Sequence, residues 1–371
     1  MYDVIIIGAG ASGLFCACNL QDGMKALILE SNKISGSKVL LSGGGRCNFT
    51  NEIIDIENNF VGENVKFLYS LFHKFSNKDM LNWLKDNGLG YKLEDNGKYF
   101  LLSEKSKDLL EVFFSIIEKK GINITNNCLV EDVICIDGGF EIATNLGIYY
   151  TKKVVISTGG KSFPQLGTLG FGYDLAKKYG GKINNIYKGL CGIVTKENNE
   201  NFAGSPLDVK LQVYVGDKIF LEKSGTVLFS HFGLTGPFIF DIVLKLGSYL
   251  SKKGIVDIEE YICQNVTLKL YFDQVSLSRK LVKLIGNNDK LEYSIQGIRS
   301  WKEAKVTGGG LSLKEIGNDF QFRKCPGMYF IGEVLDITGV TGGYNLQFAW
   351  SSGYWCGKNI NSTKYQVPSS S

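Results

Sequence analysis

A β-α-β unit at the start of the chain constrains the fold more than any other segment. Residues 3–7 form an apolar run rich in β-branched side chains, and the glycine-rich turn at 8–13 leads into residues with helical spacing. A second apolar strand, at 26–29, ends at Glu30. Short apolar runs of this kind are typical of strands buried on both faces, as in a parallel sheet covered by helices. The opening therefore predicts an α/β fold with a Rossmann-like domain.

The turn itself carries the G-x-G-x-x-G pattern at Gly8, Gly10 and Gly13. In such a turn the first glycine permits the tight bend, the second lets a pyrophosphate approach the backbone, and the third lets helix and strand pack closely. The N-terminus of the following helix attracts the phosphates. An acid at the end of the second strand, here Glu30, accepts hydrogen bonds from an adenosine ribose. The unit predicts a dinucleotide site and does not distinguish FAD from NAD.

Composition excludes several classes of protein. With 371 residues, 44% hydrophobic and 21% charged, the chain is globular and long enough for two to three domains. A net charge of +4 falls short of a dedicated nucleic-acid-binding protein. Nine cysteines without a C-x-x-C pair indicate a reduced compartment, and two histidines make a metal site improbable. The uncharged stretch at 4–20 is too short and glycine-rich to span a membrane, so we expect a cytoplasmic protein without membrane association.

Three later segments also contain glycines that would let a ligand approach the backbone closely. Residues 42–51 read SGGGRCNFTN, in which three glycines let the backbone lie against a planar or anionic group and Arg46 adds a fixed positive charge. Residues 158–160, TGG, end a buried strand. Near the C-terminus, Glu333 follows a strand and a glycine, where it can bind the ribityl hydroxyls that only a flavin has. Gly342 and Gly343 then open a helix whose positive end would stabilise reduced flavin. This last segment favours FAD over NAD.

The pattern of hydrophobic and polar residues changes in the middle of the chain. Short alternating strands, such as the one at 209–215, indicate a β-rich insertion. We therefore predict a first part of the FAD-binding domain at 1–186, an inserted substrate or cap domain at 187–305, the C-terminal part of the FAD-binding domain at 306–361, and a flexible tail at 362–371. Within this frame, helices are predicted over 109–120, 278–285 and 346–358.

Taken together, these segments resemble the bacterial "HI0933-like" flavoproteins, also known as NAD(P)/FAD-dependent oxidoreductases or the aminoacetone-oxidase-like FAD family. The resemblance covers nearly the whole chain and rests on GAGASG, Glu30, SGGGRCNFTN, STGGKSFPQLGTLGFGYDLAKKYG, LFSHFGLTGP, VTGGG and FIGEVLDITGVTGGYNLQFAWSSG. It implies a two-dinucleotide-binding-domain flavoprotein fold, related to glutathione reductase and to the succinate dehydrogenase flavoprotein, with an inserted barrel-like β domain and bound FAD.

The resemblance also implies which residues line the FAD. By position these are Gly8, Gly10, Ala11, Ser12, Gly13, Glu30, Lys38, Gly44, Arg46, Cys47, Asn48, Val130, Thr158, Gly159, Gly332, Glu333, Gly343, Tyr344, Asn345 and Leu346. The chain departs from the family pattern at 97–101, which reads GKYFL where members show G-R-x-F-P, and it is shorter than members around 265–305. These departures bear on the substrate more than on FAD.

Three residues are candidates for catalysis, each with a structural alternative. His231 can serve as a proton donor near neutral pH or simply hold its turn. Cys47, next to Arg46, can have a lowered thiolate pKa or be a small packing residue. Tyr344 can stack near the isoalloxazine or only pack at the start of its helix.

These features predict a cytoplasmic FAD-dependent oxidoreductase. We favour reduction of an activated C=C bond in a small organic molecule, with NADPH or NADH as a transient donor. The sequence leaves three alternatives open: an oxygen-dependent oxidase of a small amine or amino-ketone, an RNA uridine reductase forming dihydrouridine, and a non-catalytic FAD-binding protein. RNA is not the favoured partner, and the oligomeric state is not determined by the sequence.

Overall fold

The computed structural model describes residues 1–273, 282, 286 and 288–360. The chain divides into two compact units: a first unit made of Met1–Asn184 with the segment from Gly309 onward, and an inserted unit, Asn185–Gly308. These limits lie within a few residues of the expected insertion at 187–305. The helix predicted over 278–285 and the tail predicted at 362–371 lie outside the described residues.

Strands and helices alternate through the first unit, whereas strands dominate the inserted one. The described strands are β1 (Tyr2–Ile7), β2 (Ala26–Leu29), β3 (Thr50–Asn51), β4 (Phe60–Gly62), β5 (Tyr91–Leu93), β6 (Lys98–Leu101), β7 (Asn123–Thr125), β8 (Val130–Ile136), β9 (Gly139–Thr144), β10 (Gly147–Ile156), β11 (Ile183–Gly189), β12 (Ile193–Thr195), β13 (Pro206–Val215), β14 (Lys218–Ser230), β15 (Gly233–Thr235), β16 (Val266–Tyr271), β17 (Lys290–Ile298), β18 (Val306–Leu311), β19 (Met328–Phe330) and β20 (Ile337–Gly339). The described α-helices are α1 (Ala11–Cys18), α2 (Ser37–Leu41), α3 (Ile56–Asn59), α4 (Phe67–Phe72), α5 (Asn77–Asp86), α6 (Ser106–Lys119), α7 (Phe171–Lys178), α8 (Pro237–Lys252), α9 (Ile258–Asn265) and α10 (Tyr344–Asn359).

A seven-stranded sheet forms the centre of the first unit. Its order is β7-β2-β1-β10-β9-β8, with β19 also paired to β10. The pairs that β1 forms with β2 and with β10 are parallel, as are β2–β7 and β10–β19, while β8, β9 and the first half of β10 pair antiparallel. All of β2 and the apolar residues 4–7 of β1 are buried, as their uninterrupted apolar runs predict. This arrangement confirms the Rossmann-type fold class.

Two helices from opposite ends of the chain pack together beside this sheet. A Cβ atom on Gly353 of α10 would approach the Ser12 carbonyl oxygen to 2.5 Å, and one on Gly357 would approach the Cys16 carbonyl oxygen to 2.6 Å. Only glycine permits so close a contact between helix backbones. Around the same helices lies an aromatic cluster centred on Phe15, whose ring centroid is 5.2–5.7 Å from those of Phe75, Trp83, Phe113 and Trp350. Burial of these large rings contributes to the stability of the packing between α1 and α10.

The inserted unit contains a closed barrel in the order β12-β15-β14-β13-β16-β17. Its longest hairpin, β13–β14, turns at Gly216 with φ 59°. The β-rich prediction accounts for this barrel and misses the two helices α8 and α9. A signal for α8 was available, because Pro237 directly after Gly236 is typical of a first helical position, and buried apolar residues follow it at helical spacing. None of the described helices is long and apolar enough to span a bilayer.

Candidate functional site

Segments predicted to hold the cofactor meet at one edge of the sheet of the first unit. They follow the carboxyl ends of four neighbouring parallel strands: Gly8 follows β1, Glu30 follows β2, Ser157 follows β10, and Gly332 lies just beyond β19. In open α/β sheets this edge is where ligands bind. The structure therefore brings together segments from both ends of the chain, as the cofactor prediction requires.

The first turn is shaped by contacts that exclude side chains. Gly8 has φ 102°, and a Cβ there would lie 2.7 Å from the Ser157 carbonyl oxygen. A Cβ on Gly13 would lie 2.1 Å from the Gly8 carbonyl oxygen. Ser157 completes the junction, because its hydroxyl donates to the carbonyl oxygens of Ile7 and Gly8 at 2.9 and 2.8 Å. Ser157 was not predicted as a site residue, although it directly precedes the predicted TGG segment.

Gly10 differs from its two neighbours. Its φ of −83° suits any residue. Among the described residues, only the Ser157 carbonyl oxygen comes near a Cβ built at this position, at 4.0 Å. It caps α1 without a side-chain hydrogen bond, so the first N–H groups of that helix have no capping side chain. The protein itself does not require glycine here. Space beside an uncapped helix N-terminus, adjoining Ala11 and Ser12, fits a pyrophosphate.

Glu30 is 7% exposed and holds the loop around the turn. One carboxylate oxygen accepts the Ala9 N–H at 2.7 Å, and the other accepts the Asn32 backbone and side-chain N–H groups at 2.8 and 2.7 Å. The Glu30 carbonyl oxygen accepts the Cys128 N–H at 2.8 Å, which ties the segment before Val130 to the same place. Glu30 thus sits where an adenosine ribose is expected, and its role toward the ribose stays a prediction.

Glu333 forms the charged centre of the site. One of its oxygens receives the Lys38 Nζ at 2.6 Å, and the other receives the Ser162 hydroxyl at 3.0 Å. Lys38 Nζ also donates to the Ser162 hydroxyl at 2.8 Å. A Cβ on Gly159 would lie 3.5 Å from the Glu333 carboxylate. Lys38 and Glu333 were both expected at the cofactor, whereas Ser162 was missed because its partners lie far away in sequence.

Two buried hydroxyls near Glu333 lack a hydrogen-bond partner within the described part of the chain. They belong to Thr158, which adjoins Gly159, and to Tyr173 of α7. Burial, together with the nearby Glu333 and Asp336 carboxylates, raises the pKa of Tyr173 well above its usual range. Buried polar groups are normally satisfied, so two orphaned hydroxyls beside a strand edge fit the polar ribityl and phosphate groups of a flavin nucleotide. Tyr173 was not predicted as a site residue.

The SGGGRCNFTN loop begins with a left-handed backbone. Gly43, Gly44 and Gly45 have φ of 57°, 69° and 89°, and a Cβ on Gly44 would contact no protein atom within 4 Å. This exposed, side-chain-free backbone suits the face of a planar group. Arg46, expected to bring a fixed positive charge to a planar or anionic group, pairs with Glu94 and, at 2.8 Å, with Glu104. Its charge is thereby largely compensated.

The second half of this loop docks on the start of α10. With its amide oriented to satisfy its neighbours, Asn48 accepts the Gly343 N–H at 3.1 Å and donates to the Thr50 carbonyl at 3.0 Å. The Thr50 hydroxyl donates to Gln347 at 2.7 Å, and the Asn51 amide donates to the Gly342 carbonyl at 3.0 Å. The C-terminal helix therefore begins against the glycine loop.

Beyond this junction, Asn345 holds the turn before α10. Its amide nitrogen donates to the Gly339 carbonyl at 2.7 Å, and its amide oxygen accepts the Gly339 N–H at 2.8 Å. Leu346 is half-buried in the first turn of α10, next to Gln347. Both were predicted to line the FAD. Their positions near the helix start are compatible with that prediction, which remains untested.

The catalytic hypothesis for Cys47 needs correction. Its side chain is fully buried, and burial raises the pKa of the thiol to about 12, the opposite of the lowered value considered from the adjacent Arg46. The guanidinium of Arg46 points to carboxylates instead. A buried thiol in apolar surroundings stays protonated and inert. These surroundings favour the packing role of Cys47, the alternative raised by the sequence.

Tyr344 and His231, the two other candidates for catalysis, differ in their surroundings. Tyr344 is 7% exposed, its ring packs edge-on against Phe60, and its hydroxyl donates to the Ile53 carbonyl at 3.3 Å, which favours its packing role. His231 is an exposed residue of the turn between β14 and β15 in the inserted unit, with its ring edge against Phe232. Its function as a proton donor stays a prediction.

The fold and this site define a Rossmann-type FAD-dependent oxidoreductase. The uncapped helix start at Gly10, the side-chain-free glycine backbone at 43–45 and the two hydroxyls without partners all fit FAD, which when bound supplies two-electron redox chemistry. The chain belongs to the HI0933-like family, because the family model described as HI0933-like protein Rossmann domain matches residues 2–359. Recognition of this family from sequence motifs is thus confirmed.

Proteins of known name align with almost the whole chain. It is 29% identical to a ribosomal RNA dihydrouridine synthase of Escherichia coli, over 98% of this chain and 99% of the relative. It is 30% identical to the protein of the same name in Haemophilus influenzae, over 96% and 98% of the two chains. A 3-dehydro-bile acid delta(4,6)-reductase of Clostridium scindens is 26% identical, over 95% and 97%. The E. coli alignment spans 411 positions, so that relative carries residues without a counterpart in this 371-residue chain.

Solved structures share the fold at low sequence identity. A flavocytochrome c3 fumarate reductase in its open conformation superposes with a TM-score of 0.53 at 14% identity, covering 97% of this chain and 78% of that one. The 3-ketosteroid-delta4-(5alpha)-dehydrogenase of Rhodococcus jostii RHA1 gives a TM-score of 0.53 at 13% identity, covering 97% and 96%. At these identities the likeness is one of fold alone, and it agrees with the flavoenzyme architecture.

Proposed function

We propose that this protein is an FAD-dependent reductase of a C=C bond conjugated to a carbonyl group, with NADPH or NADH as electron donor and a uracil ring in RNA as substrate. The reaction adds a hydride and a proton across the double bond while NAD(P)H becomes NAD(P)⁺. Under this proposal uridine becomes dihydrouridine. The proposed substrate, a uracil ring in RNA, differs from the small organic molecule favoured by the sequence analysis. The type of reaction, reduction of an activated C=C bond, is the same.

The observation that carries the proposal is the shared chemistry of the named relatives across nearly the full chain. Dihydrouridine is uridine with its ring double bond reduced next to a carbonyl, and a delta(4,6) reductase of a 3-dehydro-bile acid removes double bonds conjugated with a ketone. The two kinds of relative act on different substrates, and in both the bond that is reduced is a C=C bond conjugated with a carbonyl group. The relatives at 29% and 30% identity, both named for RNA, support uracil as the substrate.

Residues of the first unit account for how the chain would hold the cofactor. The space at Gly10 beside α1 would receive the pyrophosphate, and Glu333 would accept hydrogen bonds from the ribityl hydroxyls. The start of α10 presents the positive end of a 16-residue helix, which stabilises negative charge on a reduced cofactor. The sequence contains no second complete G-x-G-x-x-G unit, so we expect the nicotinamide donor to bind transiently rather than in a Rossmann site of its own.

Anaerobic reduction of the purified holoprotein tests the proposal. Addition of NADPH or NADH is expected to bleach the visible flavin absorbance, and uridine-containing RNA is then expected to restore it, with a mass gain of two hydrogens per modified uridine. An RNA in which cytidine replaces every uridine is the matched control. The proposal fails if the absorbance returns equally with both RNAs, or if neither nicotinamide bleaches the flavin.

A second candidate function is reduction of a small conjugated ketone, favoured by the 26% identity to the bile acid reductase. In the same assay, recovery of absorbance with a keto-steroid diene and not with RNA would establish this function. Bleaching by an amine but not by nicotinamides would instead identify the oxidase alternative. A flavin that stays oxidised with every donor would identify a non-catalytic FAD-binding protein.

A further inference from the structure

We propose that a surface stripe of exposed lysines with exposed or half-buried aromatic rings on the first unit docks RNA, an inference that rests on the proposed RNA substrate. The stripe runs along α4 and continues onto the outer side of α10. We call it the basic-aromatic stripe, and it comprises Lys66, Tyr69, His73, Lys74, Trp355 and Lys358. None of these residues belongs to the cofactor site described above.

Helical spacing places the first part of the stripe on one face. Lys66 and His73 flank α4 and keep helical dihedral angles, so the helical geometry extends from Lys66 to His73. Residues three and four positions apart share a face of a helix, and Lys66, Tyr69 and His73 follow this spacing. All three are exposed, whereas Leu68 and Leu71 on the opposite face are buried. The helix thus presents a polar and aromatic face to solvent.

Ring contacts join this face to α10. Lys74 Nζ lies 4.9 Å from the centroid of the Trp355 ring, and Phe75 stacks on Tyr354 with centroids 4.5 Å apart. Lys358 Nζ lies 5.9 Å from the Tyr354 centroid. The Trp355 indole N–H donates to the Asn318 carbonyl at 2.9 Å, which fixes that ring. Two exposed lysines therefore lie against half-buried rings of α10, while buried Phe75 anchors the end of α4 to the same helix.

No carboxylate is paired directly with the lysines of the stripe in the part of the chain that the structure describes. Within the described residues, Lys66, Lys74 and Lys358 form no ion pair, whereas Lys107, Lys152 and Lys178 elsewhere in the first unit pair with carboxylates at 2.6–2.9 Å. The nearby acids are otherwise engaged: Asp22, near Lys358, is bound to Lys120, and half-buried Asp319 accepts the Gln321 N–H at 3.1 Å. The stripe is a site of net positive charge.

RNA matches this combination better than other polyanions do. Lysines bind phosphates and release counterions, while exposed rings offer faces on which unpaired bases stack. Tyr69, half exposed and next to Lys66 in the stripe, provides such a face. An acidic peptide would use the lysines and leave the ring unused. A reductase acting on a base must bind RNA in which that base is unstacked, and a stacking platform serves this need.

Binding of a labelled single-stranded oligouridylate by the holoprotein, followed by fluorescence polarisation, tests the stripe. The variant Lys66→Gln/Lys74→Gln/Lys358→Gln is expected to bind about tenfold or more weakly, and the slope of log K against log salt is expected to flatten by about 2, since each phosphate contact to a single strand contributes about 0.7. Tyr69→Ala is expected to weaken binding, whereas Tyr69→Phe, which keeps the ring, is expected to bind normally.

The matched control is Lys107→Gln/Lys152→Gln/Lys178→Gln, which changes the net charge by the same amount at ion-paired positions. The proposal is overturned if both triple variants lose affinity equally, if the unmodified protein does not bind the oligouridylate, or if the stripe binds phosphatidylserine vesicles instead. Bleaching of the flavin by NADPH is measured in each variant and is expected to be unchanged. Loss of flavin bleaching would contradict the proposed reductase function, whereas loss of RNA binding with normal bleaching concerns the docking surface alone.

Discussion

Lys38 and Glu333, 295 positions apart in the chain, form an ion pair with the Lys38 Nζ 2.6 Å from a Glu333 oxygen. Both side chains are mostly shielded, at 27% and 21% exposure. The pair links the segment after the first β-α-β unit to the C-terminal motif at the edge of the sheet. It also fixes the carboxylate that we expect to face the ribityl chain.

Replacement of Glu333 by Gln tests this assignment. We expect the dissociation constant for FAD to rise about tenfold or more, because a hydrogen bond to a charged group contributes about 1.5–3 kcal/mol. The ratio of visible to ultraviolet absorbance in purified protein gives the FAD content. Glu111→Gln, which breaks the exposed pair with Lys107 at 2.9 Å, is the control. Equal FAD content in the two variants would contradict the assignment.

Gly10 and Gly13 are expected to respond differently to alanine. Gly13→Ala would place a Cβ 2.1 Å from the Gly8 carbonyl oxygen, so we expect a loss of stability of about 1–3 kcal/mol. Gly10→Ala meets no protein atom closer than 4.0 Å, so the apoprotein is expected to unfold at the same temperature as the unmodified protein while FAD affinity falls. Thermal unfolding and FAD titration separate the two effects. A lower unfolding temperature of the Gly10→Ala apoprotein would contradict the assignment of the space at Gly10 to the pyrophosphate of FAD.

Cys47 is expected to be chemically silent. Because burial raises the pKa of its thiol to about 12, alkylation of the native protein should modify exposed Cys135 and leave Cys47 unmodified. Cys47→Ala should retain the rate of flavin bleaching by NADPH. Peptide mass spectrometry after brief iodoacetamide treatment reads the first outcome. Rapid labelling of Cys47, or a lost reaction in the variant, would restore the thiolate hypothesis.

Stability is expected to fall at alkaline pH. Burial raises the pKa values of Cys47, Cys191 and Cys325 to about 12 each, whereas an unfolded thiol titrates at about 8.5. Below that pH both states keep the proton. Above it the unfolded state loses protons first, so the free energy of unfolding declines as pH rises toward 12. Urea unfolding at about pH 8 and about pH 10 measures the decline, which should be shallower in Cys47→Ala. An unchanged stability would contradict the burial argument.

Local patterns explain much of what could be predicted. The strand at Ala26–Leu29 and the turn at Gly8 depend on residues adjacent in sequence, and each lies where expected. The helix predicted over 109–120 is observed as α6, Ser106–Lys119, because its apolar stripe has helical spacing. In the inserted unit, the barrel strands were predicted and the helix Pro237–Lys252 was not. The alternating pattern of the neighbouring strands led to a β-rich prediction for the whole segment.

The sequence by itself determined the class of the protein, because a β-α-β unit, its glycines and the terminal acid act through neighbours along the chain. Only the tertiary structure decided that Arg46 pairs with Glu94 and Glu104, that Cys47 is sealed from solvent, and that Lys38 meets Glu333. Burial and ion pairing depend on residues brought together from distant parts of the chain. A motif shows which chemical groups are present, and the fold sets whether they are charged, accessible or already bound.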